Sequence, residues 1–384
     1  MTDATQPDWD PRAESVLQNQ RQAYDKMRQS CPVARSSDGQ WTLFRHADVM
    51  RVLEDHQSFS NQVSQHISVP NGMDPPKHSL YRALIEPYFS QARVDWFEPI
   101  CQKIADEVAQ AAVQKDAIDL MSAFAYPFAA RIQCAFMGWP QELADVLLDW
   151  LKRSQVATLA RDRSATAALA DEFTRIIRAQ LEQRRQTQAH QDTDITSELM
   201  HEQVNGRPLT EAEIASILRN WTAGEVSTIA AAIGVIAHYL ACNPELQAEL
   251  RQHPDKLWYA NDEIQRLHNP LLENRRRTTC PVEIGGRAIA AEQPITLNWV
   301  AANRDPEVFD NPEQFSWQRN PKQNLLYGAG IHVCPGAPLA RMELVVAISS
   351  LLKHCSTLQL VPNRSPVFAR YPASGYSKLC LRIR

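Results

Sequence analysis

The stretch Tyr327-Gly328-Ala329-Gly330-Ile331-His332-Val333-Cys334-Pro335-Gly336-Ala337-Pro338-Leu339-Ala340-Arg341 reads as a glycine-punctuated loop running straight into a helix, with one cysteine, Cys334, at the junction. The first amides of a helix are unpaired donors and the helix dipole favours negative charge at that end, so a thiol placed there has a reason to ionise. The thiolate is the form that binds metals. Gly328, Gly330 and Gly336 let the backbone bend tightly and approach a flat partner with no Cβ in the way. No second ligand pair accompanies His332 and Cys334, so the chain does not spell out a metal site made of protein ligands alone.

The pattern Tyr327-Gly328-x-Gly330-x-His332-x-Cys334-x-Gly336 resembles the haem-binding signature of cytochrome P450 enzymes. That family usually has Phe where this chain has Tyr327. The resemblance implies haem b (iron protoporphyrin IX) as cofactor, with Cys334 as the proximal iron ligand, whose thiolate pushes electron density onto iron to favour O–O cleavage. It also puts Tyr327, Gly328, His332 and Gly336 against the cofactor.

With 384 residues, 44% of them apolar, the chain can build a substantial core, as one large domain or as two to three average ones. Forty basic residues against 44 acidic ones leave a net charge of -4, which gives no reason to expect nucleic acid or an anionic membrane as partner. The N-terminus, Met1 to Pro11, has neither a basic n-region nor an apolar h-region. The longest nearly apolar run, Ile229 to Ala241, is interrupted by His238 and falls short of the roughly 20 residues that cross a bilayer. A cytoplasmic protein is the expectation. Eight cysteines, at 31, 101, 134, 242, 280, 334, 355 and 380, include no C-x-x-C pair and read as reduced thiols.

Helix formers with amphipathic spacing cover residues 12 to 29, and Gly39 to Arg45 alternates as a half-buried strand does. From about Asp95 to Gln186 the composition is helical, rich in Ala, Leu, Gln, Arg and Glu. Polar Thr187 to Thr196 reads as a surface loop between helices. Shorter β-type pieces follow at Val282 to Ile289, at Pro294 to Trp299 and near the C-terminus. The expectation is a mainly α protein with small β-sheets, and no internal repeat is present. The resemblance implies the cytochrome P450 fold as a single haem domain over residues 1–384, with a minor β subdomain near the N-terminus.

In Asp74-Pro-Pro-Lys-His78-Ser-Leu-Tyr-Arg82, two prolines introduce a helix on which His78 and Arg82, four apart, share a face as two adjacent donors. In the resembled family this His and Arg bind a haem propionate, and an arginine fork suits a carboxylate. Glu263-x-x-Arg266 can pair bidentately along a helix, and the context of Pro270, Arg275-Arg276-Arg277 and Gly285-Gly286 resembles the family's structural Glu-x-x-Arg helix. Measured back from the glycines, Arg276 takes the propionate-binding position, with Arg275 as second candidate. Glu273 between them reads as a partner for a neighbouring arginine. Ala301 to Phe315 is rich in turn residues and resembles the stretch that closes against that helix.

Residues 211 to 241 form the longest helical pattern, apolar on so many sides that it belongs in the core. Thr222, Glu225, Ser227 and Thr228 gather around Gly224, which weakens the helix locally by about 1 kcal/mol. In the resembled family a small-Gly-x-acid-Thr run kinks here, on the distal haem face, to hold dioxygen and relay protons. This chain puts Val226 at the acid position and Ser227 at the threonine position. Glu225 and Thr228, three apart and adjacent on the helix surface, can stand in, so Glu225, Ser227 and Thr228 are the proton-relay candidates. The Asn-Trp-Thr-x-Gly-Glu run resembles a bacterial subgroup containing aromatic O-demethylases and members fused to reductases.

The resemblance thus implies a monooxygenase that inserts one oxygen atom from O2 into a small organic substrate, by hydroxylation or oxidative O-dealkylation, with an aromatic ether as the favoured guess. Segments around Val63 to Val69, Val156 to Leu159, Leu271 to Asn274 and Pro372 to Tyr376 would line its pocket. No fused reductase is expected before Arg384. Electrons would come from a separate ferredoxin or flavodoxin-like protein with its reductase, docking near Cys334, where Arg319, Lys322 and Arg341 are placed to help. The alternatives are a peroxide-driven or dehydrating haem-thiolate enzyme and a non-catalytic haem sensor or carrier.

Overall fold

In the computed structural model, which describes residues 7–383 except 65, 189 and 191–193, the central helix Glu211–Cys242 is the axis of the molecule. A capping box starts it: the Thr210 hydroxyl accepts from the Glu213 amide while Glu213 accepts from the Thr210 amide at 2.7 Å. Asn243 ends it, and Pro244 opens the next helix, Pro244–Gln252, where a missing N–H costs nothing. The central helix packs on Tyr126–Met137, Arg163–Thr187 and Ala337–His354. By length and composition it passes for a membrane span, yet 61% of its most apolar window is buried inside the protein. That is what a core helix requires. Gly234 lets one such contact close, since a Cβ there would lie 2.6 Å from the Met121 sulfur.

The helical middle is present as Gln91–Ala112, Tyr126–Met137, Leu143–Leu159 and Arg163–Thr187. It is interrupted by a three-residue strand, Ala117–Asp119, which pairs with Cys380–Ile383 from the far end of the chain. The helix expected over residues 12 to 29 is two, Glu14–Gln18 and Gln20–Ser30. Asn19 separates them because its side chain accepts from the Gln22 amide and caps the second. Thr187 closes one helix and Ile195 opens another, and the loop expected between them lies partly outside the described residues. All eight cysteines are free.

The largest sheet has the order Val33–Arg35, Trp41–Leu43, Pro294–Asn298, Glu273–Thr278, Phe59–Ser60. The β region is therefore not N-terminal alone, because two of its five strands come from residues 273 to 298. Trp299 does not extend the strand as its sequence suggests. The Asn298 side chain accepts from the Ala301 amide at 2.9 Å and starts a short helix instead, Trp299–Ala302.

Glu263 and Arg266 are 4% and 1% exposed and form a bidentate pair at 2.9 and 3.0 Å. The remaining guanidinium donors reach the carbonyls of Asn303, Pro312 and Gln314 at 2.8 to 3.2 Å. A helix residue thereby grips the turn-rich segment at three points. Removing one member of a buried pair leaves the other charged and unmet, at about 3–5 kcal/mol. Arg266→Ala is expected to lower the unfolding free energy measured by urea denaturation by that amount, and a change under about 1 kcal/mol would show that the pair is a spectator.

Two histidines, His238 and His268, meet against Tyr376 with ring centroids 4.6 and 5.6 Å from it. Burial, with Arg21, pushes His238 down to about 4, and burial, with Arg21, His238 and Arg304, pushes His268 down to about 3. Both are neutral when folded, whereas the unfolded chain binds their protons near 6.5. Their contribution to stability is thus whole above about 6.5 and is lost as pH falls toward 4 and then 3. Between pH 7 and 4.5 the thermal midpoint is expected to fall, and to fall less in His268→Gln; equal slopes would refute the linkage.

Candidate active site

A cavity of about 710 Å³ lies between the central helix and the loop that precedes Ala337–His354. Cys334 is exposed into it. The loop is held by its own backbone: Cys334 donates to the Tyr327 carbonyl at 2.9 Å and Val333 to that of Gly330 at 3.1 Å. Gly330 sits at φ +69, and a Cβ on it would lie 2.2 Å from the Leu53 carbonyl oxygen. Only glycine fits there. Gly336 precedes the helix and has Phe89 and the Cys334 sulfur beside it.

Position near a helix start does not by itself ionise the thiol. Burial pushes Cys334 up to about 11, outweighing the Gly336 amide, Arg82 and Arg341, all of which pull it down. The helix proper begins at Ala337, three residues on, and the field of its end falls off within a turn. A coordinated metal, by contrast, deprotonates a thiol outright.

One rim of the cavity carries buried polar groups that meet few or no partners among the described residues. His78, on the helix Lys77–Ile85, and His332 lie with ring centroids 4.2 Å apart, and the Nε2 of each is buried without a partner. Burial, with His78, Arg276 and Arg82, drives His332 down to about 3; burial, with Arg82, lowers His78. Arg276 is 5% exposed, bonded among the described residues only to the Arg275 carbonyl, and held down to about 10 by burial. Arg82 lines the same cavity but is partly occupied, by Glu86 at 2.8 Å and the Val333 carbonyl at 2.6 Å. Trp299 joins them, its indole N–H buried and unpartnered, and no spacing in the sequence marks it. Unmet buried donors cost about 1–3 kcal/mol each, so this rim calls for acceptors, best of all carboxylates.

Tyr327 also lines the cavity, its hydroxyl buried without a partner. The Arg341 guanidinium lies 4.6 Å from its ring and bonds Asp262 at 2.9 Å. Arg319 is not a free surface charge, because it reaches Glu263 at 3.3 Å and the Asn311 carbonyl at 3.0 Å. Glu273 takes its hydrogen bond from the Tyr371 hydroxyl, at 2.9 Å, rather than from an adjacent arginine, and burial raises its carboxyl despite Tyr371 and the nearby Arg275.

The opposite wall is the central helix, whose Gly224, Glu225, Ser227 and Thr228 face the cavity. The helix is continuous there. Thr228 donates to the Gly224 carbonyl at 2.6 Å and Ser227 to that of Ala223 at 3.4 Å, so both hydroxyls fold back on their own helix. Glu225 turns instead to Glu343 of Ala337–His354. Burial raises both carboxyls, and the proximity of Glu225 raises Glu343 further. Val226, 2% exposed, points into the core. Of the segments expected to line a pocket, Val63, Ser64, His66, Ile67, Ser68, Thr158, Leu271, Asn274 and Pro372 to Ser374 do so among the described residues.

The profile described as "Cytochrome P450" matches residues 135–368. The probable cytochrome P450 127A1 of Sinorhizobium fredii is 30% identical over 359 residues, 90% of this chain and 84% of that protein. The chain belongs to the cytochrome P450 family. Cyclomarin C epoxidase CymV of Salinispora arenicola is 28% identical over 87% of this chain and 88% of its own length. The solved structure of a mutant of P450 EryK with erythromycin B superposes with a TM-score of 0.86 at 25% identity, covering 95% of this chain and 96% of that one.

As a cytochrome P450 the protein is a monooxygenase that uses haem b, dioxygen, an organic substrate and an electron donor. The residues present fit the cofactor: a cavity of the right capacity, a sulfur open to it, and a rim of unspent donors suited to two propionates. Gly330→Ala is expected to push the cysteine loop off Leu53 and, with the strain of a left-handed non-glycine residue, to cost about 1–3 kcal/mol. Haem content of the purified protein should fall with it; full occupancy and an unchanged melt would show that the loop has slack.

Proposed function

We propose that residues 1–384 form one haem-thiolate unit in which Cys334 ligates iron, His78, Arg82, Arg276 and His332 hold the propionates, and Trp299 assists. The observation that carries this is the meeting, around one cavity, of an open thiol with the partnerless Nε2 atoms of His78 and His332. Tyr327, Gly328 and Gly336 supply the cradle, and Glu263 with Arg266 holds the scaffold. When bound, haem supplies the activation of dioxygen. The chain's own part is to bind and orient the substrate, to exclude water and to hold protons at Glu225, Ser227 and Thr228.

The substrate proposed is a small aromatic ether, oxidised by hydroxylation or O-dealkylation. A second cavity, of about 200 Å³, supports this: it adjoins Ala223 and Ser227, carries no charged residue, and is faced by Tyr126, Trp150 and Leu271. Ser154 and Gln155 add neutral polar contacts there. Electrons would come from a ferredoxin or flavodoxin-like donor in the cytoplasm, docking beside Cys334, where Val333 and Leu80 are exposed and Arg341 and Lys322 remain accessible.

A peroxide-driven or dehydrating reaction is a second reading, favoured by one observation: the acid position beside Ser227 is a buried valine. The two are separated by turnover of an aromatic ether with a ferredoxin and its reductase against turnover with peroxide alone. Donor-dependent oxygen consumption is the expected result; efficient turnover with peroxide only would replace the first reading by the second. The ferrous carbon monoxide complex should show the red-shifted band of thiolate-ligated haem, and Cys334→Ser should abolish it while haem remains bound.

A further inference from the structure

Arg219 is a half-buried cation with no acid to meet. It lies two turns before Ser227 on the central helix, lines the main cavity, and its hydrogen bond goes to the Ile67 carbonyl at 2.8 Å. No carboxylate pairs with it among the described residues, and burial is the sole influence resolved on it. Such a charge is expensive to leave uncompensated. The cavity's other cations, Arg82, Arg275 and Arg276, stand on or beside the cofactor rim, while the cavity's acid, Glu225, is engaged with Glu343.

The helix shows where Arg219 points relative to the chemistry. Arg219, Ala223, Ser227 and Ala231 follow one another at intervals of four and line the cavities in sequence: the first three the main one, the last three the neutral one. Ala223 and Ser227 line both, so the two cavities adjoin along this row and can serve one elongated ligand as a single chamber. Small side chains at 223, 227 and 231 keep the row clear. At 1.5 Å per residue, about 12 Å of helix separates Arg219 from Ser227, less the reach of an arginine side chain.

Building on the monooxygenase reading, we propose that the chamber selects a carboxylic acid, whose carboxylate pairs with Arg219 at the outer end while its apolar, aromatic body lies along Ala223 and Ser227 toward the neutral cavity. Arg219 is then a specificity-determining residue. It fixes which carbon of the substrate lies opposite Ser227, and the neutral far end rejects a second charge. An aromatic ether that carries a carboxylate satisfies both features. The Ile67 contact gives Arg219 a second duty, since the same guanidinium holds the loop over the chamber.

The test uses the haem-loaded enzyme and matched neutral ligands. The series phenylpropionate to phenylhexanoate and the corresponding primary amides are titrated by the change in haem spin state and by calorimetry. At the best length the acid is expected to bind about tenfold or more tightly than its amide, the worth of one charge-assisted pair. Arg219→Gln should bring the acid-to-amide ratio to about one, the acid losing about tenfold or more beyond any loss the amide shows, and Arg219→Lys should keep part of the preference. If Arg219 serves only as a latch for Ile67, its substitution weakens acid and amide alike and the ratio stays constant. That result, or the lack of an acid preference at every length in the wild-type enzyme, overturns the proposal. Neither readout requires turnover, so failure to consume dioxygen would sink the monooxygenase reading while leaving the acid-to-amide ratio to stand or fall alone.

Discussion

The grip of one helix, Leu257–Leu267, on the chain before and after the cysteine loop is the constraint on which the site depends. Arg266 spends its donors on Glu263 and on three carbonyls between Asn303 and Gln314. Glu263 also accepts from the Ser316 amide and from Arg319, both at 3.3 Å. Next to it, the Asp262 carbonyl receives the Asn324 side chain and the Asp262 carboxylate receives Arg341. Residues 303 to 324 and residue 341 thus hang from a single helical turn, with the cysteine loop strung between them. A segment so poor in regular structure has no ladder of its own to fix it, and charged groups bonded to carbonyls replace one. Burying these charges is tolerable because nearly every donor is used.

The cofactor rim is built on the reverse principle. His78, His332, Arg276 and Trp299 hold polar atoms in the interior with little or no return from the protein. The fold bears their desolvation in advance, and on the proposed reading the cofactor's carboxylates would recover it on binding, which would link cofactor affinity to folding stability. Keeping the two histidines neutral is part of this design. Packed at 4.2 Å beside two arginines, they could not both be charged.

Much of this is legible in the sequence where the chemistry is local. The cysteine loop, the His78 to Arg82 turn and Glu263-x-x-Arg266 each carry their meaning within ten residues. So does the central helix, which is apolar on too many sides to lie on a water-exposed surface. Readings that depend on distant partners fare worse. Ala117–Asp119 becomes a strand only because Cys380–Ile383 arrives to pair with it. Trp299 becomes a cavity donor because Asn298 caps a turn at that point. Glu273 goes to Tyr371 and Arg319 to Glu263, partners 98 and 56 residues away. The Cys334 thiol misled for a related reason. A helix start is visible in sequence, but the burial that outweighs it belongs to the assembled pocket.

The distal wall shows how a shift of one residue redistributes protons. Successive residues on a helix are about 100° apart, so an acid at 225 instead of 226 faces a different neighbour altogether. Here it turns from the hydroxyl row toward Ala337–His354 and meets Glu343, where burial raises both carboxyls. Ser227 and Thr228, left without the acid, fold back on helix carbonyls and keep the helix unbroken where the family pattern kinks it. The chamber side is consequently smooth and neutral between Ala223 and Ala231. The wall's acid packs instead against the helix that follows the cysteine, tying its protonation to the packing of the two helices that enclose the cofactor site.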